Sequence, residues 1–172
     1  QDAGGPDAAP FFLFLNYMDA HIPYLPPERY RRKFGDPGPR FSWGRYQSLE
    51  SAVLAGARDL TAEERRNLEA DYDAGIAYID DSLRRLFDEL RRLGLFDDTM
   101  VIVTSDHGEM FGEAGIMGHG AGLQPGLVHV PLLVKYPGQR EAATVDDAVS
   151  GTDVFPTVMA AAALGATSRV DG

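Results

Sequence analysis

The chain has 172 residues, 44% of them hydrophobic, and its 26 Asp and Glu against 16 Lys and Arg leave a formal net charge of −10. That length suits one α/β domain or a large part of one, and the acidic balance excludes a broad nucleic-acid-binding face, which needs clustered Lys and Arg. With no Cys there is no disulfide, thiolate ligand or thiol nucleophile, and no apolar run is long enough to cross a membrane.

Residues 1–10 are acidic and rich in Gly and Pro, unlike the basic start of a signal peptide, and read as a linker or loop. Phe11-Phe12-Leu13-Phe14-Leu15 is a short apolar run of the kind that forms a strand buried on both faces of a parallel sheet. It gives way to Asn16-Tyr17-Met18-Asp19-Ala20-His21 and a Pro-rich loop. Pro26-Pro27-Glu28 opens a short helix ending near Gly35, and residues 35–45 read as loop. The clearest helix starts at Thr61, where Thr61 and Glu64 have capping-box spacing. Leu68, Tyr72, Ile76, Ile79, Leu83, Leu86, Phe87, Leu90 and Leu93 then recur at helical steps along one face, and Gly94 is placed to end it. Gly75, inside this helix, costs about 1 kcal/mol against Ala, which implies either close backbone packing or a break into two helices.

Met100 to Thr104 reads as a strand, followed by a long Gly-rich loop to about Gly126. Val130 to Val134 is a further strand, Pro137-Gly138 a turn, and Val145 to Ser150 a weak strand. Thr152 or Asp153 caps a last helix through about Leu164, with Pro156 tolerated in its first turn. Residues 165–172 are turn-like, and the chain reads as an excerpt of a longer protein. Buried-type strands alternating with helices predict α/β architecture, with a central mixed, largely parallel sheet flanked by helices. There is no internal repeat.

In open α/β sheets reactive groups gather at the carboxyl ends of strands. Two stretches sit there: Asn16 to His21, and Ser105 to Glu109. A tight Asp106-His107-Gly108 turn lets two adjacent side chains converge, which an extended strand forbids because neighbours point to opposite faces. An adjacent carboxylate and imidazole are suitable ligands for one divalent cation. The plainer readings are that Asp106 caps a turn, that His21 and His119 are ordinary loop residues, and that His129 is structural. Asp80 and Asp81 read as a solvated face or a helix-to-loop hydrogen bond, and Tyr72 and Tyr78 as packing residues. Ser105 lies beside Asp106 and His107 but lacks a nucleophile-elbow sequence.

Taken together, the stretches FFLFLNYMDAHIPYLPP, YDAGIAYIDDSLRRLFDELRRLGLFDDTMVIVTSDHGE, GHGAGL, VHVPLLVKYPG and VSGTDVFPTVMAAAALG resemble, in order and spacing, the sulfatases of the alkaline-phosphatase-like superfamily. The resemblance runs from Phe11 to the end, and the block closing in SDHGE is its most specific piece. It implies hydrolysis of a small-molecule or saccharide sulfate ester at a single divalent metal, usually Ca2+, with Mn2+ or Zn2+ as alternatives because imidazole suits them better. By position it implies Asp106 and His107 as metal ligands, His21 as a contact to the sulfate or leaving group, and His119 near the sulfate or leaving oxygen. Lys135 falls inside a strand where the family does not place its catalytic Lys, and it receives no role.

The resemblance also exposes departures. The family's nucleophile is a formylglycine made from Cys or Ser in a Cys/Ser-x-Pro-x-Arg motif, which is not among these residues. An Asp pair that completes the family's metal site is absent too. The expectation is therefore that formylglycine lies upstream, that 1–172 is part of one catalytic domain, and that the isolated chain is inactive. Three rival readings stand beside sulfate hydrolysis: a phosphonate or phosphodiester hydrolase, a phosphoethanolamine-type transferase with upstream membrane helices, and a non-catalytic binding module. Residues 25–60 are the candidate specificity segment. Localisation and oligomeric state are not legible.

Overall fold

A computed structural model describes residues 9–35 and 38–165. Most of the predicted 1–10 linker and the end of the chain beyond residue 165 lie outside the described residues. Helix α1 (Glu28–Arg31) runs into a 3-10 turn (Arg32–Phe34), and α2 (Trp43–Leu54) and α3 (Ala62–Arg92) follow. Then come β1 (Val101–Thr104), β2 (Met110–Phe111), β3 (Met117–Gly118), α4 (Pro125–Val128), β4 (Leu132–Lys135) and α5 (Val154–Ala161).

The α3 helix begins as its capping box dictates. The Glu64 N–H donates to Thr61 Oγ1 at 3.1 Å, and the Thr61 N–H donates to Glu64 Oε2 at 3.0 Å. The helix is continuous through Gly75, so of the two readings of that residue close packing is the one realised. A Cβ at Gly75 would collide with the carbonyl oxygen of Asp19, so the turn that carries His21 rests directly on the helix backbone. The other end of α3 matches its prediction, with Leu93 as C-cap and Gly94 next in a left-handed conformation.

The main core lies between α2, α3 and the β2–β3 hairpin: Tyr24, Phe41, Tyr46, Leu49, Val53, Leu68 and Met117 are buried together. The Tyr24 ring meets Tyr46, Tyr72 and Phe111 at centroid distances of 6.1, 5.7 and 6.0 Å, mostly edge-on, as aromatic quadrupoles favour. Met110, Ile116 and Leu127 form a second cluster that ties the hairpin to α4. Arg31 and Asp71 are a buried ion pair joining α1 to α3, and Arg31 also donates to the Gly38 carbonyl at 2.9 Å. Removing one partner of such a pair strands a buried charge and costs about 3–5 kcal/mol.

The described residues do not by themselves form the expected central sheet. Among the described residues the strands form two two-stranded antiparallel sheets, β1 with β4 and β2 with β3, rather than one largely parallel sheet. Phe11 to Leu15 belongs to no strand, and Phe12 and Phe14 are 80% and 78% exposed. An apolar run of this kind becomes a strand only when a neighbour pairs its backbone. Val145 to Ser150 is likewise not a strand; its two valines are exposed and bury nothing. The loop expected over 35–45 gives way to α2 at Trp43, where Ser42 caps the helix by accepting from the Arg45 N–H.

Candidate active site

Three loops converge where β1 ends. The first is the turn before His21, whose N–H donates to the Met18 carbonyl at 3.1 Å. The second is Asp106-His107-Gly108. Gly108 is needed there, because a Cβ would strike the Gly126 carbonyl, and its N–H donates to the Leu127 carbonyl at 2.8 Å. The third carries His119, one residue beyond the β2–β3 pairing of Met110 with Gly118.

The three imidazoles meet. His107 and His119 stack with centroids 4.1 Å apart, and His21 lies 4.9 Å from His119 and 6.2 Å from His107. One nitrogen from each ring falls within 4.8 Å of the others. Hydrogen bonds assign their tautomers. His21 Nδ1 lies 2.7 Å from the Ile22 carbonyl, and His107 Nδ1 lies 2.8 Å from the Gly108 carbonyl. A carbonyl only accepts, so both Nδ1 atoms carry the proton. His119 Nδ1 faces both carboxylate oxygens of Glu109, at 3.1 and 3.3 Å, and donates to them. In each neutral ring the free lone pair is therefore on Nε2.

Asp106 stands differently from the histidines. Its carboxylate is 89% exposed; Oδ1 accepts from the His107 N–H at 3.1 Å and lies 3.8 Å from His107 Nε2. The two side chains face one another, and Asp106 is outside the imidazole cluster. Ser105 donates its hydroxyl to the His107 carbonyl at 2.7 Å and braces the turn. His129 is exposed at the end of α4 and is not among the clustered histidines. Lys135 pairs with Val101, at the opposite end of β1 from Asp106, and its Nζ donates to the carbonyls of Asp97, Thr99 and Tyr136. Its exclusion from the site agrees with this placement.

Glu109 is the residue that sequence reasoning passed over. Its side chain is 3% exposed and sits under His119. The Met110–Gly118 register brings positions 109 and 119 opposite each other, but strands of two residues leave no readable alternation. Around Glu109 the setting is crowded and dry. Burial pushes the Tyr24 and Tyr46 hydroxyls up, and the Glu109 carboxylate adds to this. Neither hydroxyl is aligned for a well-formed hydrogen bond. Glu50 is also raised, first by burial and then by the Glu109 carboxylate, with His119 opposing.

The donors can be weighed against metals. Calcium takes six to eight oxygens. The described residues bring three imidazoles and one exposed carboxylate, so by themselves they supply only part of a calcium shell, and their imidazoles suit a borderline transition ion. No helix of the described residues is long and apolar enough to cross a membrane.

The Sulfatase family model matches residues 3–164. The chain is 30% identical to the multifunctional alkaline phosphatase superfamily protein PehA of Trinickia caryophylli, over 90% of this chain and 34% of that protein. It is 30% identical to the uncharacterized sulfatase YidJ of Escherichia coli, over 89% of this chain and 32% of that protein. It is 35% identical to a choline-sulfatase of Rhizobium meliloti, over 58% of this chain and 19% of that protein. The chain thus spans about a third or less of the length of these relatives.

Proposed function

This chain belongs to the sulfatase family of the alkaline-phosphatase-like superfamily, and from that premise we infer that it carries one side of the active centre of a sulfuric ester hydrolase. The observation that carries the reading is the convergence of His21, His107 and His119 at the end of β1 with their Nε2 atoms free. The substrate class is a sulfate ester of a small molecule or saccharide. The bond broken is S–O, and the leaving oxygen must take up a proton as it departs.

Imidazole is the side chain that changes charge near neutral pH, which suits it to that transfer. His119 is the better held donor. Its Nδ1–H is anchored on buried Glu109, so Nε2 points to the opposite side of the ring; in the imidazolium form Nε2–H gives its proton to the leaving oxygen and the ring returns to its neutral Nδ1–H form. His21 is held on the α3 backbone through the Asp19 turn and faces the same space, where it orients the ester. Asp106 and His107 form the corner we assign to a divalent cation. These two residues supply only part of that ion's ligands, and no step is routed through it. The nucleophile, formylglycine in our reading, comes from a part of the catalytic domain outside this chain. The β1–β4 ribbon is then one margin of a central mixed sheet, which the exposed apolar residues 11–15 support.

The test is turnover of nitrophenyl sulfate by the intact protein. Asp106→Ala and His119→Ala are expected to lower turnover by about 100-fold or more, and His129→Ala to change it little. Equal, small effects from all three would overturn the site. Preferential turnover of a nitrophenyl phosphodiester would instead move the chain to the phospho-ester branch.

A further inference from the structure

We propose that α1 and the side of α3 it packs on, around Tyr30 and Asp81, form an anion-binding surface that holds a sulfated saccharide chain beside the active centre. This rests on the hydrolase reading and narrows its substrate from any sulfate ester to one carried on a polyanionic saccharide. In a chain with a net charge of −10 the surface is an island of positive charge. Asp81 accepts from the Tyr30 hydroxyl and from both Arg84 and Arg85. Over the Tyr30 ring lie the Arg29 guanidinium, 4.7 Å from its centroid, and the Lys33 ammonium, 4.9 Å away. Four cations thus gather about one carboxylate. The neighbouring carboxylates are already shared. Glu28 lies 3.6 Å from Arg32 and 3.2 Å from Arg40, and Asp88 lies 3.2 Å from Arg84 and 3.0 Å from Arg91. Among the described residues neither Arg29 nor Lys33 has an ion-pair partner, and both are exposed.

The placement suits an extended ligand. The turn that carries His21 rests on Gly75, and Asp81 is six residues further along the same helix. That is about 9 Å along the axis and about a third of a turn around it. A saccharide chain bridges such a gap, whereas a small aryl ester does not. Asp81 and Arg85 lie on the opposite side of α3 from Ile76 and Leu83, so covering the apolar stripe leaves this surface open. Sulfate half-esters stay ionised across the physiological pH range, and arginine presents paired N–H groups to such oxyanions. A nucleic acid is the other common polyanion, but single strands are held by stacking as well as by charge. Tyr30, the ring at the centre of this surface, is 3% exposed and offers no free face to a base.

Titration of the intact protein with dextran sulfate, followed by calorimetry across a salt series, tests this. The expected result is binding that weakens steeply as salt rises, with no binding of uncharged dextran. The double variant Arg29→Ala/Lys33→Ala should lose at least about tenfold in affinity and show a shallower salt dependence. Arg140→Ala, which removes an exposed arginine paired with Asp97, should bind as the native protein does. The double variant should still hydrolyse nitrophenyl sulfate at the native rate, since neither residue touches the ester. Circular dichroism confirms that each variant is folded. Affinity unchanged in the double variant, or lost equally in Arg140→Ala, would overturn the proposal, as would tighter binding of an oligonucleotide of equal charge. Variant-sensitive binding of dextran sulfate without sulfate turnover would defeat the hydrolase reading and leave the anion surface standing. Turnover without such binding would defeat the surface alone.

Discussion

The Asp81 carboxylate is tuned by its neighbours. It accepts from the Tyr30 hydroxyl at 2.6 Å, and from Arg84 and Arg85 at 2.7 Å each. The Tyr30 hydrogen bond, then the Arg84 hydrogen bond and the nearby guanidinium charges, hold its pKa down to about 2 against an ordinary 3.8. A carboxylate depressed by folding contributes stability above its unfolded pKa and loses it as pH falls through the folded one. Asp81→Asn should therefore lower the melting temperature at pH 7, with the gap to the native protein closing between about pH 4 and pH 2. A gap that persists below pH 2 would mean the contact is steric rather than ionic. Glu109 is a second case in which a neighbour decides the role. Its carboxylate has no solvent to face, so its partner His119 is held in one tautomer. In the intact protein Glu109→Gln should lower kcat for sulfate esters by about 10–100-fold while KM changes little, and it should alter the pH–rate profile. An unchanged profile would reduce Glu109 to a packing residue.

Among the elements, α3 does the most to place the site. Its apolar stripe is buried deeply only in its first half, at Leu68 and Ala74 with Asp71 and Gly75 beside them, while Ile76 and Leu93 stay exposed. The first half carries the Asp19 turn, and so His21. On helix propensity alone Gly75→Ala would stabilise the protein by about 1 kcal/mol. The Asp19 carbonyl stands where the new methyl would go, and forced overpacking costs about 1–3 kcal/mol. The substitution should thus lower the melting temperature and, by displacing His21, lower turnover in the intact protein. A raised melting temperature would show that the turn is not seated on the helix. The β2–β3 hairpin has a similar role on the other side, since its register sets Glu109 against His119.

On the scale of the whole molecule, apolar surface stands uncovered. Phe11, Phe12, Leu13, Phe14 and Leu15 are all exposed, as are Leu132, Leu133, Val145, Val149 and Phe155. Exposed apolar residues in this number mark surface that packs against something else. With the chain spanning about a third of its relatives' length, we read these residues as packing against the rest of a catalytic domain. The 172-residue chain alone should then bind a hydrophobic dye, hold calcium weakly and leave nitrophenyl sulfate intact. Measurable hydrolysis by it would refute the division of the domain.

Helix α3 with its capping box, the strand at residues 101–104 and the Asp106–His107 turn are legible in the amino-acid sequence alone. Each rests on interactions a few residues apart, so local pattern is enough to encode them. The family is legible too, because several blocks share one order and spacing. Tertiary structure alone decided that Phe11 to Leu15 is left unpaired, that three distant histidines meet and that Glu109 lies beneath one of them. Those outcomes depend on which backbone approaches which, through close contacts such as Gly75 on Asp19 and Gly108 on Gly126, and no periodicity along the chain records a contact between segments so far apart.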